Sequence, residues 1–320
     1  MLPVLEDRNI VSLGEGWTPL LKANRLADKY ELNELLIKDE SANPTGSFKA
    51  RGLSMAVSKA KELGVERCIV PTAGNAGGAL SAYCAKAGMQ AIVVMPRHTP
   101  EAFKKECRYF GAELIEVDGL ISDCARKVAE IKLKTPCFDV STMKEPYRLE
   151  GKKTMGYEIA EQMNWTLPDV ILYPTGGGTG LIGMWKAFHE MRELGWITGP
   201  FPRMIAVQSE NCKPILEVFE GRLDTVKKYV GNPSFANGLA VPTPFAEKMI
   251  LNVLRESNGT VIAITDDELK MAMKEIASLE GLLVCPEGAA LLPAMKSLLN
   301  SGIIKRTESV LMLNTGSAYK

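Results

Sequence analysis

Three glycine-containing turns in this chain each stand directly before a stretch that reads as a helix, and each places a chemically useful group at a helix N-terminus. The first is Asn43-Pro44-Thr45-Gly46-Ser47-Phe48-Lys49-Ala50-Arg51-Gly52. Pro44 and Gly46 make a turn, and Ser47 is expected as the N-cap of the helix that follows. Lys49 then falls in the first turn, where the helix dipole disfavours a cation. It is either a lysine whose ammonium reaches water, or an amine with a destabilised charged form that can attack a carbonyl and form a Schiff base. The second turn, Thr72-Ala73-Gly74-Asn75, follows an apolar strand. Its backbone N–H groups suit a carboxylate, or the turn is merely tight, with Asn75 as N-cap. The third is Thr175-Gly176-Gly177-Gly178-Thr179-Gly180. Three consecutive glycines give up chain entropy and pack no side chain. Close approach of backbone N–H groups to a phosphate at a helix N-terminus is the compensation this pattern points to.

Residues 178–183 also fit G-x-G-x-x-G, the dinucleotide fingerprint. That fingerprint wants an acidic residue about 20 positions on, at the end of the next strand. Glu210, the nearest candidate after that strand, lies 32 positions after Gly178. A nicotinamide-dependent oxidoreductase is therefore the alternative from another class.

Other chemistries are restricted by composition. His98 and His189 are the only histidines, so a zinc site or a Ser-His-Asp triad has little to be built from. No metal centre is expected, and an enzyme of this composition leans on a cofactor. Lysine plus arginine (38) equals aspartate plus glutamate (38), which argues against nucleic acid as a partner and gives no polybasic membrane anchor. No apolar run approaches a membrane span, and no signal peptide is visible. The seven cysteines are scattered without C-x-x-C and read as reduced, buried thiols of a cytoplasmic protein; Cys84 and Cys285 are expected in the core.

The elements that must carry these turns alternate. Strands are expected at residues 35–37, 68–70, 91–95, 114–117, 169–173, 204–207 and 310–313. Helices are expected at residues 48–63, 76–87, 101–110, 122–133, 181–194, 266–280 and 289–299, with Gly64, Gly88 and Gly111 as stops. Short, continuous apolar strands between helices predict βαβ units and a mostly parallel sheet. Residues 221–244 are the least regular and are expected to form a surface excursion or a lid.

Four segments carry a family likeness: Leu13-Gly14-Glu15-Gly16-Trp17-Thr18-Pro19-Leu20; residues 43–52; Arg148-Leu149-Glu150-Gly151-Lys152-Lys153-Thr154; and Asn314-Thr315-Gly316-Ser317-Ala318-Tyr319-Lys320. With the glycine loop, they resemble the fold type II pyridoxal-phosphate enzymes, and within these the threonine synthase family. The resemblance runs from residue 13 to 320. It implies an α/β fold of two domains, each a mostly parallel sheet flanked by helices, with pyridoxal 5'-phosphate in the cleft between them. The larger domain would comprise residues 1–49 and 151–320, and the smaller, inserted one residues 50–150. Lys49 would hold the cofactor as a Schiff base and shuttle protons. Asn75 would bond its 3′ oxygen. Gly176, Gly177, Gly178, Thr179 and Gly180 would cradle its phosphate, and Thr315 would face its ring nitrogen. Thr72, Ala73 and Gly74 would take the substrate carboxylate, and Arg148 the leaving phosphate. The implied reaction converts O-phospho-L-homoserine and water to L-threonine and phosphate, in a homodimer acting on a small phosphorylated amino acid.

Some positions depart from the family pattern. Ala50 stands where an aspartate is usual, Ala73 replaces a serine, Thr142 and Met143 stand near an Asn-Ser pair, and Tyr147 replaces a histidine. The glycine loop is closer to that of serine and threonine dehydratases. A dehydratase, an ammonia-lyase or a β-replacement enzyme is thus the nearer alternative. Lys152 and Lys153 are expected on a solvated helix face rather than as substrate ligands, and Glu287 either caps a helix or borders the cofactor. Whether the native chain extends beyond Lys320 is left open.

Overall fold

The computed structural model describes residues 2–320. In chain order, β1 (Leu20–Lys22), α1 (Asn24–Tyr30) and β2 (Glu34–Asp39) precede the Lys49 turn. Then α2 (Lys49–Glu62), β3 (Arg67–Pro71), α3 (Asn75–Ala87), β4 (Gln90–Pro96), α4 (Glu101–Tyr109), β5 (Glu113–Val117) and α5 (Ile121–Lys132) alternate as their apolar runs predict. The three expected stops adopt left-handed conformations, with φ of 70° at Gly64, 69° at Gly88 and 77° at Gly111. β6 (Phe138–Asp139), α6 (Tyr147–Gln162), β7 (Val170–Pro174), α7 (Thr179–Glu193), β8 (Arg203–Ser209) and α8 (Pro214–Phe219) follow. The chain continues through α9 (Glu247–Glu256), β9 (Thr260–Ile264), α10 (Asp266–Glu280), α11 (Pro286–Ala289), α12 (Leu291–Asn300) and β10 (Ser309–Asn314).

The segment read as one helix over residues 289–299 is α11 plus α12, beginning earlier because Pro286 suits a first helical position. Of helix α6 the sequence predicts only a helical face at Lys152 and Lys153, without bounds. Its R-L-E-G-K-K-T stretch buries lysines and a glycine rather than an apolar stripe, so the usual periodicity is absent.

The chain divides into two units: one takes in residues up to Gly16, Asn43–Lys152 and Lys320, the other Trp17–Ala42 and Lys153–Tyr319. In the first unit, four parallel strands run in the order β5-β4-β3-β6. Side chains alternate between its faces. Cys68, Val70, Ala91, Val93 and Met95 pack with residues of α2 and α3, whereas Ile69, Ile92 and Val94 pack with Cys124 and Val128 of α5. Covering both faces is what makes these strands continuously apolar.

In the second unit, six strands run β1-β2-β10-β7-β8-β9, with β1 antiparallel and the rest parallel. The carboxyl ends of the neighbouring strands β7 and β10 lie at one edge, the edge where open α/β sheets bind ligands. Among the described residues no helix is long and apolar enough to cross a membrane.

Candidate active site

In the first unit the Lys49 turn is built from backbone. Pro44–Gly46 forms one 3-10 turn, closed by the Gly46 amide on the Asn43 carbonyl at 2.9 Å. Thr45 and Gly46 both have positive φ, 58° and 60°. The Asn43 side chain accepts the Gly16 amide at 3.0 Å, and Lys320 Nζ donates to the Thr45 carbonyl at 2.6 Å. Ser47 is not the N-cap; Phe48 is, and Ser47 Oγ accepts the Lys49 amide only at 3.4 Å. The two left-handed residues turn the chain one residue later than the Ser47 reading assumed. Lys49 is the first residue of α2, half-buried, with Nζ 4.3 Å from the Phe48 ring centroid. Ala50 is wholly buried, so a carboxylate there would lie in the core.

The second turn leaves β3 at Pro71. The Gly74 amide donates to Thr72 Oγ1 at 3.1 Å, and Ala73 is exposed at the tip. Asn75 is not a cap: it is the first residue of α3, and its side chain bonds none of the helix amides. Its Oδ1 is buried without a hydrogen-bond partner. A buried amide oxygen left unpaired is costly, so this atom calls for a donor from a bound group. The helix α3 packs on the Pro44–Gly46 turn, which keeps Asn75 and Lys49 on adjoining elements.

Arg148, on the first turn of α6, is buried; Nη1 donates to the Val140 carbonyl at 2.5 Å. Burial holds its guanidinium below the ordinary arginine range, with Glu145 and Asp139 opposing the shift. Glu145 accepts the Arg148 amide at 3.0 Å through one oxygen, and burial raises its carboxyl. Tyr147 stacks on Phe138, with centroids 6.2 Å apart. Met143 sits in a turn with φ of 63°.

In the second unit, the glycine loop leaves β7 as the Thr175 amide donates to the Val207 carbonyl at 2.7 Å. A Cβ on Gly176 would strike the Gly238 carbonyl, one on Gly178 the Ile250 side chain, and one on Gly180 the Tyr173 hydroxyl. Gly178 is the N-cap of α7 with φ of 70°, so it needs glycine on conformational grounds as well. Thr179 begins α7, a helix of 15 residues whose first-turn amides adjoin the loop, the Gly180 amide bonding the Tyr173 hydroxyl. The loop and the helix end therefore form a cradle closed to side chains and suited to a phosphate.

Thr315 follows β10 and is buried; its Oγ1 lies 3.8 Å from Cys285 Sγ. Burial pushes the Cys285 thiol up to about 12, so a neutral thiol faces a neutral hydroxyl. Asn314 fixes the register, accepting the Cys285 amide at 3.1 Å and donating to Asp39 at 2.7 Å. Glu287 does not cap α11, whose N-cap is Cys285; its Oε1 accepts the Gly238 amide at 2.7 Å.

Lys152 and Lys153 correct the expectation of a solvated face: their relative exposures are 1% and 0%. Lys152 Nζ donates to the Phe48 carbonyl, and Lys153 Nζ meets Glu190 at 2.9 Å. Cys84 is a core thiol, buried beside Cys68. Sequence reasoning missed Lys152, Lys320 and the Gly238–Glu287 pair; only the neighbouring Gly151 hinted that α6 comes close to another backbone. Among the described residues no group of His, Cys, Asp and Glu could hold a metal ion.

Comparison with known proteins identifies the family. A family model described as pyridoxal-phosphate dependent enzyme matches residues 11–316. The chain is 35% identical over its whole length to a threonine synthase of Methanocaldococcus jannaschii, covering 78% of that protein. It is 33% identical over its whole length to one of Halalkalibacterium halodurans, covering 87%. Among solved structures, maize serine racemase matches 95% of this chain and 88% of its own with TM-score 0.79 at 20% identity. A fungal L-serine ammonia-lyase from Rhizomucor miehei matches 94% and 93% with TM-score 0.78 at 24% identity. At those identities the two structures establish the fold.

Proposed function

Because the chain belongs to the pyridoxal-phosphate-dependent enzymes, and within them to the threonine synthase family, we propose that it converts O-phospho-L-homoserine and water to L-threonine and phosphate. The cofactor is pyridoxal 5'-phosphate and the enzyme is a lyase. The observation that carries the substrate reading is the end-to-end identity to threonine synthases from an archaeon and a bacterium. The residues present suit the cofactor: a buried Asn75 oxygen without a partner, a glycine cradle at the start of α7, and a Thr315 hydroxyl beside a protonated thiol. Family membership removes the nicotinamide reading of residues 178–183, which lack the acidic partner that reading needs.

When bound, the cofactor draws electrons from the substrate's α and β carbons and so acidifies their protons. Lys49 would hold it covalently, and the Lys49 amine, released by the substrate, would take the Cα proton, assist loss of a Cβ proton as phosphate leaves Cγ, and deliver a proton at Cγ; water would then add at Cβ and a proton return to Cα. One amine in several proton transfers is consistent with a chain that has two histidines. Asn75 would hydrogen-bond the ring's 3′ oxygen, and the residue 176–180 loop would take the cofactor phosphate. Thr315 would face the ring nitrogen with a hydroxyl that leaves the ring unprotonated. Thr72, Ala73 and Gly74 would receive the substrate carboxylate. Arg148, with one of its five N–H donors committed to Val140, would turn others to the leaving phosphate. We propose a cytoplasmic homodimer as the working form, which light scattering checks.

The test is direct. The purified protein should be yellow, borohydride should fix the chromophore, and Lys49→Ala should abolish fixation. Phosphate and threonine should then appear from O-phosphohomoserine. A colourless protein overturns the cofactor roles assigned to these residues. If 2-oxobutyrate or pyruvate forms from threonine or serine instead, a dehydratase reading replaces this one. The residue 175–180 loop, T-G-G-G-T-G, is the feature that favours that alternative.

A further inference from the structure

The helices α2 and α6 cross with almost no side chain between them. A Cβ on Gly52 would stand 2.8 Å from the Arg148 carbonyl oxygen, and one on Gly151 would strike the Arg51 carbonyl. Two backbones in contact bring the next residue of α6, Lys152, to the N-terminal end of α2. Its stem lies against Gly52, with Cε 3.1 Å from where a Gly52 Cβ would be. Its Nζ donates to the carbonyl of Phe48, the residue that caps α2. The same Nζ stands 3.5 Å from the Phe48 ring centroid. Lys49 Nζ is 4.3 Å from that centroid, so one ring carries two amines. The two nitrogens are no further apart than the sum of those distances, about 8 Å.

We propose that Lys152 is a positioning residue for Lys49: it fixes Phe48 by its carbonyl and ring, and its ammonium disfavours a second positive charge on Lys49 beside the same ring. The inference rests on the reading of Lys49 as the cofactor-holding amine. Like charges in a poorly solvated place favour the neutral form of one of them, and a neutral amine is the reactive one. The Lys152 ammonium donates to a backbone carbonyl, a bond that favours its charged form, so of the two amines it keeps its proton and Lys49 loses its own more readily. The charged side chains flanking these residues in the chain are Arg51 on α2 and Arg148, Glu150 and Lys153 on α6, and Glu15 of the N-terminal segment accepts from Ser54 of α2. Lys320, paired with Glu106, stands at the Thr45 carbonyl of the preceding turn.

The test uses the full chain, first stripped of any bound aldehyde with hydroxylamine. Acetic anhydride labels its amines at one fixed pH, and peptide mass spectrometry measures the rate at Lys49. Capture of added pyridoxal 5'-phosphate is followed in parallel by the visible band it forms. In Lys152→Met, which keeps the packed stem and removes the charge, both rates should fall about tenfold, as for a pKa change of one. Lys152→Arg, which keeps donor and charge, should restore most of both. Lys152→Gln, which keeps a donor to the Phe48 carbonyl and removes the charge, gives a second variant should Lys152→Met fold poorly; it should slow both reactions too, which a purely structural hydrogen bond does not explain. Labelling of Lys49 within twofold of the parent in a folded Lys152→Met or Lys152→Gln protein overturns the proposal. Failure of the parent to capture the cofactor overturns the functional reading instead, while the labelling ratio still decides the role of Lys152.

Discussion

Glu287 Oε1 accepts the Gly238 amide at 2.7 Å, and the Gly238 carbonyl lies against Gly176 of the glycine loop. Residues 221–244, the least regular stretch of the sequence, are therefore pinned at Gly238 by both backbone groups. A hydrogen bond to a charged acceptor contributes about 1.5–3 kcal/mol. Glu287→Ala should loosen Gly238 and lower cofactor affinity about tenfold or more, read by titrating the visible band. Glu287→Gln keeps an acceptor and should recover most of the loss. Equal affinity in Glu287→Ala and the parent would show that Gly238 is held by something else.

Asn75 separates stability from binding. Its Oδ1 is buried and unpaired in the protein alone, so Asn75→Ala removes an unmet polar group and should leave thermal unfolding of the cofactor-free chain unchanged or slightly improved. Once the cofactor is bound the same substitution removes a partner and should weaken binding by about 1 kcal/mol or more. A lower melting temperature of the cofactor-free variant would contradict this, since it would mean Asn75 already has a structural partner.

Buried thiols set an alkaline limit. An unperturbed cysteine loses its proton near pH 9, whereas burial holds the Cys285 thiol up to about 12 and Cys107 up to about 11. Above pH 9 the unfolded chain thus binds fewer protons than the native one, so stability falls as pH rises. The contribution is fully present below pH 9 and declines above it, up to about 11 for Cys107 and about 12 for Cys285, by about 1.4 kcal/mol per pH unit for each thiol. Urea midpoints at pH 8, 9 and 10 check this, and Cys107→Ser with Cys285→Ser should flatten the decline. A midpoint that holds steady from 8 to 10 would mean the native thiols ionise freely.

Lys49, Asn75 and the glycine loop are legible in the sequence because each depends on a few adjoining residues: a Pro–Gly turn, a helix start, a run without side chains. The αL stops at Gly64, Gly88 and Gly111 are legible for the same local reason. The burial of Lys152 is not local. It requires Gly52 and Gly151, far apart in the chain, to let two helices touch, and nothing near Lys152 distinguishes it from a surface lysine. The caps mislead in a related way. Ser47 and Asn75 are both good N-cap residues by type, yet Thr45 and Gly46 shift one helix start and leave Phe48 in that place, while Asn75 is already inside its helix with its oxygen directed elsewhere.

The α2–α6 crossing yields a prediction about stability. Gly151→Ala would drive a methyl group into the Arg51 carbonyl, which neither helix can move without breaking its own hydrogen bonds. Overpacking against backbone costs about 1–3 kcal/mol and sometimes more, well beyond the roughly 1 kcal/mol that alanine gains over glycine in a helix. Gly151→Ala should therefore lower the urea midpoint although it improves helix propensity. Gly88→Ala, where nothing lies within reach of a Cβ, is the control, destabilised only by its positive φ. A Gly151→Ala protein as stable as the parent would overturn the backbone-to-backbone crossing of α2 and α6.

Lys320 ties the turn before Lys49 to the helix beside Asn75. Its Nζ donates to the Thr45 carbonyl and to Glu106 Oε1, each at 2.6 Å, and both side chains are mostly buried. The second oxygen of Glu106 is buried without a partner and presses on Gly78, in the first turn of α3. Thr45 meanwhile holds φ of 58°, a conformation that costs a side-chain-bearing residue about 1–2 kcal/mol. The Lys320 hydrogen bond is one of the interactions that offset that strain. Lys320→Ala should cost about 1–3 kcal/mol, since it strands the Glu106 carboxylate as well as freeing Thr45. Lys320→Ala combined with Glu106→Gln should cost less than the two singles together, because the stranded charge is gone; a double-mutant cycle in urea measures the coupling. Hydrogen exchange of the amides of residues 44–50 should speed up in Lys320→Ala and in the double variant alike, because both lose the bond to Thr45. Additive unfolding energies with unchanged exchange would show that Lys320 merely rests on the surface.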